Sequence, residues 1–174
     1  MKKWTKIIFF CSCCLAFIGC DRLTKDLAKE HLKDRSTITY LNDTVRLQYV
    51  ENTGAALSLG DQLPKAASFW LLSILPLIIL LILFVYTLKN LQKMGTMKIF
   101  SIALVFSGGI GNIVDRIVFD RHVTDFLNLG IGNIRTGIFN VADICVSAGV
   151  IGLLFFFNDK KEKPTINPEG PGLP

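Results

Sequence analysis

Apolar and polar positions fall in blocks along the 174-residue chain. The first block holds 14 uncharged residues, 7–20, after Lys2, Lys3 and Lys6. That is short of the ~20 residues a spanning helix needs. Taking in Trp4, it predicts a helix over residues 4–20 that runs on past Asp21. The second holds 23 uncharged residues, 66–88, enough to span with some tilt. Pro76 inside it predicts a kink, which membrane helices tolerate. The third, 99–114, ends at Asp115-Arg116 and predicts a span over 98–115. Ser107, Gly108, Gly109 and Gly111 predict close helix packing in its outgoing half. The fourth predicts a span over 138–158, broken only by Asn140 and Asp143.

The polar connections carry weaker periodicities. Residues 21–35 are charge-rich with Leu23, Leu27 and Leu32 at helical spacing, which predicts an amphipathic helix at the membrane surface. Ile38 and Tyr40 alternate, as do Val45, Leu47 and Tyr49, around a turn-like Asn42-Asp43. This predicts a strand pair. Asn52-Thr53-Gly54 reads as a turn, after which Leu57 and Leu59 extend the alternation. Short β-like pieces follow over 123–129. The tail, 159–174, holds four of the six prolines and no apolar period, so disorder is expected.

Polar residues sit at the ends of the apolar blocks. Asp21 closes the first, Asn112, Asp115 and Arg116 close the third, and Asn140 and Asp143 open the fourth. If the four blocks cross a bilayer in alternating directions, these groups gather at one face. Charges near a bilayer are costly and tend to mark function. Hence an all-α polytopic membrane protein is expected, with residues 1–158 as one membrane-embedded domain and 21–65 and 116–137 on the outer side.

Composition supports a membrane class: 51% of residues are hydrophobic and mean hydropathy is +0.46. The net charge of +5 fits lysines meeting anionic headgroups. No basic stripe with interleaved aromatics suggests nucleic acid. Nine of the 19 basic residues flank the inner ends if both termini lie inside, and ten fall outside, so the positive-inside rule does not decide orientation. Cys11, Cys13, Cys14, Cys20 and Cys145 lie in apolar blocks without metal or redox spacing. His31 and His122 belong to no metal motif, and neither a metal nor a cofactor is expected.

Asp125, in Val123-Thr124-Asp125-Phe126, and Asp143, roughly 7 Å into the fourth block, form the chemical pair. Two carboxylates a few Å apart share a proton, one serving as base on a water and the other polarising a carbonyl. Bland readings stand beside this one. Asp143 would also support a helix start, and Asp125 would serve as a loop carboxylate. Asp115 and Arg116 would pair at headgroup level, Asp21 would end a helix, and Lys25 would be solvated.

Five ordered motifs resemble the bacterial lipoprotein signal peptidases (signal peptidase II). Asp21-Arg22-Leu23-Thr24-Lys25 is similar to D-x-x-T-K, and Asn52-Thr53-Gly54-Ala55-Ala56 to N-x-G-A-A. Gly111-Asn112-Ile113-Val114-Asp115-Arg116 follows the Gly-rich G-N-x-x-D-R run. The segments around Asp125 and Phe139-Asn140-Val141-Ala142-Asp143 resemble those holding the family's catalytic aspartates. Ser107 and Leu57 depart from the usual Gly and Phe.

The resemblance implies four transmembrane helices, an extracytoplasmic β-cradle and an amphipathic surface helix. It implies an aspartic endopeptidase of the bacterial inner membrane, with both termini cytoplasmic and the active site periplasmic. That enzyme cuts diacylglyceryl-modified prolipoproteins on the amino side of the lipidated cysteine. Its expected partners are these substrates and membrane lipids, and its expected state is a monomer. Asp125 and Asp143 are then catalytic. Asp21, Lys25, Asn52, Gly54, Asn112, Asp115, Arg116, Asn140 and Ala142 bind substrate or support the dyad.

Two other functions remain open on the residues. A proton-coupled carrier would use polar groups at mid-bilayer, whereas these lie at helix ends. A lipoprotein precursor would lose residues 1–19 ahead of Cys20, because Phe17-Ile18-Gly19-Cys20 is similar to a loose cleavage box. A G-x-G-D membrane protease is disfavoured, since Ser58-Leu59-Gly60-Asp61 lacks the first glycine.

Overall fold

A computed structural model describes residues 2–54 and 63–156. Leu57, Leu59, the Ala55-Ala56 pair, Asp61 and the tail lie outside the described residues. Among the described residues, three helices are long and apolar enough to cross a bilayer, at Lys3–Leu32, Lys65–Lys93 and Thr96–Val118. A fourth apolar helix, Val141–Phe155, is shorter. With one open four-stranded sheet, the architecture is that of an all-α protein consistent with a polytopic membrane fold.

Helix α1 (Lys3–Leu32) is one unbroken 30-residue rod. Residues 21–35 therefore do not form a separate surface helix. The reason lies in its buried stripe: Phe10, Cys14, Asp21, Lys25, Ala28 and Leu32 fall at intervals of three, four or seven, one face of a single helix. The charges that suggested a solvated surface are partly turned inward. Lys6 also belongs to this face. Its ammonium donates to the Leu91 carbonyl at 3.1 Å and the Met94 carbonyl at 2.6 Å, satisfying the end of the second rod.

That rod comprises α2 (Lys65–Phe69), a wide π-turn over Trp70–Ile74, α3 (Leu75–Asn90) and a final 3-10 turn. Pro76 has no N–H to return to the preceding turn, and the wide turn directly before it absorbs the irregularity. Helix α4 (Thr96–Val118) is central and packs on α1, α3 and α5 (Val141–Phe155). Gly108 and Gly149 make its close approach to α5 possible. A Cβ on Gly149 would lie 2.6 Å from the Ser101 carbonyl, and one on Gly108 would strike the Ala142 carbonyl. The small residues of the third block thus act in packing, as expected. At the end away from the polar residues, Phe10, Ile99, Ile102 and Leu91 form the core, with Phe84 stacked on Phe106 at 5.3 Å.

The sheet order is β1 (Ile38–Tyr40), β2 (Val45–Asn52), β3 (Val123–Ile131), β4 (Ile134–Arg135), all antiparallel. The first pair is the one the alternation predicts, with Tyr40 opposite Val45. Between β2 and β3 the register shifts: Leu47 faces Leu127, but Val50 faces Asp125. One extra residue in β2 reverses which side chains share a face. Without it Glu51 would share the face of Asp125; with it, Asn52 does.

The fourth block begins differently from its apolar run. Phe139 bridges to Leu127 in β form, and α5 starts only after the cap at Asn140. Asp143 is therefore the third residue of a 15-residue helix about 22 Å long.

Candidate active site

Four chain segments converge where α1 passes the end of α4 and the starts of β3 and α5. The start of α5 is organised by a reciprocal cap. The Asn140 side-chain oxygen accepts from the Asp143 backbone N–H at 3.0 Å, and the Asp143 carboxylate accepts from the Asn140 N–H at 3.1 Å. The helix needs partners for its first N–H groups, and this solution fixes the Asp143 side chain. The second Asp143 oxygen accepts from the Asn112 amide at 2.8 Å.

Asn140 also reaches across to β3. Its amide donates to Asp125 at 2.6 Å and to the Asn112 oxygen at 3.1 Å. The other Asp125 oxygen accepts from Asn52 at 3.0 Å, the contact that the β2 bulge permits. Asp125 and Asp143 are thus joined through one shared partner, Asn140. Burial pushes the Asp125 carboxyl up to about 6, the nearby Asp143 charge adds to this, and the Asn52 and Asn140 hydrogen bonds oppose it.

Beneath this pair lies a buried ion cluster. The Lys25 ammonium is 2.8 Å from Asp21, 2.9 Å from Asp115 and 3.0 Å from the Asn112 oxygen. Lys25 is fully buried, not solvated. Asp21 lies inside α1 instead of ending a helix. Its second oxygen accepts the Ala142 N–H at 2.9 Å, tying α1 to the first turn of α5. Burying such charges costs several kcal/mol per ion, so the mutual pairing is required. Asp115 and Arg116 do not pair with each other. Asp115 turns to Arg22 at 2.7 Å as well as to Lys25. Arg116 instead donates to the Gly54 carbonyl at 2.8 Å and to the Asn112 carbonyl. Gly54 N–H closes on the Asn52 side chain at 2.9 Å, completing the expected turn.

Arg22 is the residue that the motif spacing did not single out. It joins Asp115 to Asp26 and lies over the Phe119 ring at 5.3 Å. Its i,i+4 partner Asp26 was the available signal.

A cavity of about 680 Å³ opens beside the pair, with Asn52, Asn112, Arg116 and Asp143 at its polar end. Phe139, Ile144 and Ile151 line its apolar wall. The site can therefore hold a water and a peptide bond at one end and apolar groups at the other. Among the described residues, no group of three or more His, Cys, Asp or Glu is arranged to hold a metal ion.

A family model described as "Signal peptidase (SPase) II" matches residues 13–158. A lipoprotein signal peptidase of Clostridium acetobutylicum is 38% identical over 146 residues, spanning 82% of this chain and 90% of its own. One from Borreliella burgdorferi is 31% identical over 160 residues and covers 89% of both chains. Among solved structures, one described as a bacterial membrane enzyme superposes with a TM-score of 0.68 at 28% identity. It covers 91% of this chain and 93% of the other.

Proposed function

The chain belongs to the signal peptidase II family, and from that membership we propose that it is a membrane aspartic endopeptidase of lipidated prolipoproteins, cutting on the amino side of the diacylglyceryl cysteine. The relatives are named lipoprotein signal peptidases, and substrate and bond come from that kinship. The observation that carries the reading to this chain is the Asn140 bridge, which ties Asp125 to Asp143 at the polar end of the cavity that Asp143 lines.

Chemistry follows from the placements. Each carboxylate oxygen accepts one protein donor, which leaves a second lone pair for water or substrate. Asp143, held by Asn112 and by the first turn of a helix whose positive end favours negative charge, takes a proton from the attacking water. Asp125, whose proton is held by burial, donates to the carbonyl oxygen as the tetrahedral intermediate forms. As that intermediate collapses, the C–N bond breaks, the proton on Asp143 passes to the leaving amine, and the re-forming carbonyl returns its hydroxyl proton to Asp125. The lysine–carboxylate cluster fixes α1, α4 and α5 around the pair and is not itself a reactant.

In this reading residues 1–158 form one peptidase domain with four membrane spans, α5 being the shortest. Both termini face the cytoplasm, and the tail 159–174 is a disordered cytoplasmic extension. The site sits on the periplasmic side of the inner membrane, and the monomer is the working unit. Asn52, Gly54 and Arg116 line the peptide's path, and the apolar wall of the cavity receives its lipid-proximal part.

Purified protein in vesicles, given a prolipoprotein with and without its diacylglyceryl group, tests the reading by mass spectrometry. A single cut before the lipidated cysteine, insensitive to chelators, is expected. Cutting elsewhere, or inhibition by chelators, overturns it.

A further inference from the structure

The sheet end farthest from the site carries an apolar display that none of the described residues covers. The β1–β2 turn and the β3–β4 turn lie side by side there, since Val45 pairs with Leu129 and the Gly130 N–H donates to the Thr44 carbonyl. Arg135 bonds the Asp43 carbonyl, and Asp43 holds Arg46, which locks the two turns together. From this joint tip project Tyr40, Leu41, Ile131 and Ile134, exposed by 52%, 76%, 79% and 86%. Leu15, on the outward face of α1, is exposed by a similar 73%.

Leu41 adds a cost that points outward. Leu41, Asn42 and Asp43 all have left-handed backbones, Leu41 at φ 53. Asn and Asp tolerate that region, whereas a leucine there is strained. No internal packing compensates a side chain so exposed. The other tip turns at Gly132 (φ 56), a residue suited to it, and Ile131 and Ile134 flank the Gly132-Asn133 pair.

Depth decides what meets this tip. A hydrocarbon core of ~30 Å takes about 20 helical residues, which from the Lys3 end reaches Leu23. The last turns of α1 then rise through the headgroup layer. The sheet crosses α1 at that level: Leu47 and Phe126 form a groove with Thr24, Leu27 and Leu32, and Lys33 reaches Glu51. Leu15, Leu23 and Leu27 lie on one exposed face of α1. Leu27 belongs both to this face and to the groove where α1 meets Leu47 and Phe126 of the sheet.

We propose that the joined hairpin tips of Tyr40, Leu41, Ile131 and Ile134 dip into the lipid interface and anchor the sheet on the bilayer. Lipid replaces the packing that the tip lacks among the described residues, and Tyr40 suits the headgroup level. The anchor steadies β2 and β3, and through them Asn52 and Asp125. It rests on membrane insertion and not on the peptidase reading.

The test uses the full chain with Trp4→Phe and Trp70→Phe, carrying Ile134→Trp as sole tryptophan, in vesicles of 3:1 phosphatidylcholine and phosphatidylglycerol. Quenching by brominated acyl chains together with shielding from aqueous iodide is expected. A Leu41→Trp reporter on the other hairpin must agree. Iodide quenching without quenching by brominated lipid overturns the proposal. So does shielding that appears only as protein density rises, which would mark a contact between copies.

Discussion

The Asn140 amide lies 2.6 Å from a carboxylate oxygen of Asp125, while its carbonyl oxygen caps the helix bearing Asp143. One side chain thus performs a folding task and a positioning task. Asn140→Ser separates them, because serine caps about as well as asparagine but is too short to span to Asp125. The cap is kept, so thermal stability should fall only by about 1–3 kcal/mol, the cost of a buried acceptor left without its donor, while kcat should drop roughly a hundredfold. Equal turnover by both proteins would remove Asn140 from the positioning role.

Asp125 gives the pH dependence. Its folded-state pKa, about 6, lies above the usual 3.8. Between these values the folded chain keeps a proton that the unfolded chain has released. Stability contributed by this group is therefore greatest at low pH and falls as pH rises through about 6. If Asp125 is the acid, kcat/KM should also decline as pH rises through about 6, a value belonging to the coupled pair. A pH–rate profile that stays flat from about 5 to 8 would contradict this assignment.

The four apolar blocks and the first strand pair were legible because length and alternation report burial directly. The continuity of α1 was not. Asp21 and Lys25 read as surface charges, yet each is buried by the other, and only tertiary pairing with Asp115 and Asn112 reveals this. The same limit hid Lys6, whose partners are backbone carbonyls some 85 residues away. The grouping of polar residues at helix ends could be read from block boundaries. The register shift that puts Asn52 on the face of Asp125 could not, since a bulge leaves no mark in an alternation this short. The cap was visible in principle as Asn140 three residues before Asp143, a spacing that marks helix starts.

Two neighbouring glycines should respond unequally to alanine. A Cβ on Gly111 would stand 2.6 Å from an Asp21 oxygen that Lys25 holds in place, so the ion cluster must break. Gly111→Ala should cost about 3 kcal/mol of stability, as does disrupting a buried pair, and most of the activity. A Cβ on Gly109 meets the tip of the Leu80 side chain, which can turn aside. Gly109→Ala should cost less than about 1.5 kcal/mol. Paired thermal melts and turnover numbers check both.

Lys6 offers a test of stability without chemistry. Replacing it by methionine keeps the apolar stem but leaves the buried Leu91 and Met94 carbonyls without their donor. A loss of about 2 kcal/mol is expected. Specific activity of the folded fraction should be unchanged, since Lys6 lies about 22 Å along α1 from Asp21. Chemical denaturation in detergent alongside an activity assay reads both quantities.

The central claim is tested most directly by cleavage of a diacylglyceryl-modified prolipoprotein in vesicles by the Asp125→Asn and Asp143→Asn proteins. Asparagine keeps the shape and much of the hydrogen bonding of each aspartate but can neither take nor give the proton. Each variant should insert and fold as the parent does, yet cut about a thousandfold more slowly or worse. A folded variant of either kind that cuts within about tenfold of the parent rate would contradict the two-aspartate account.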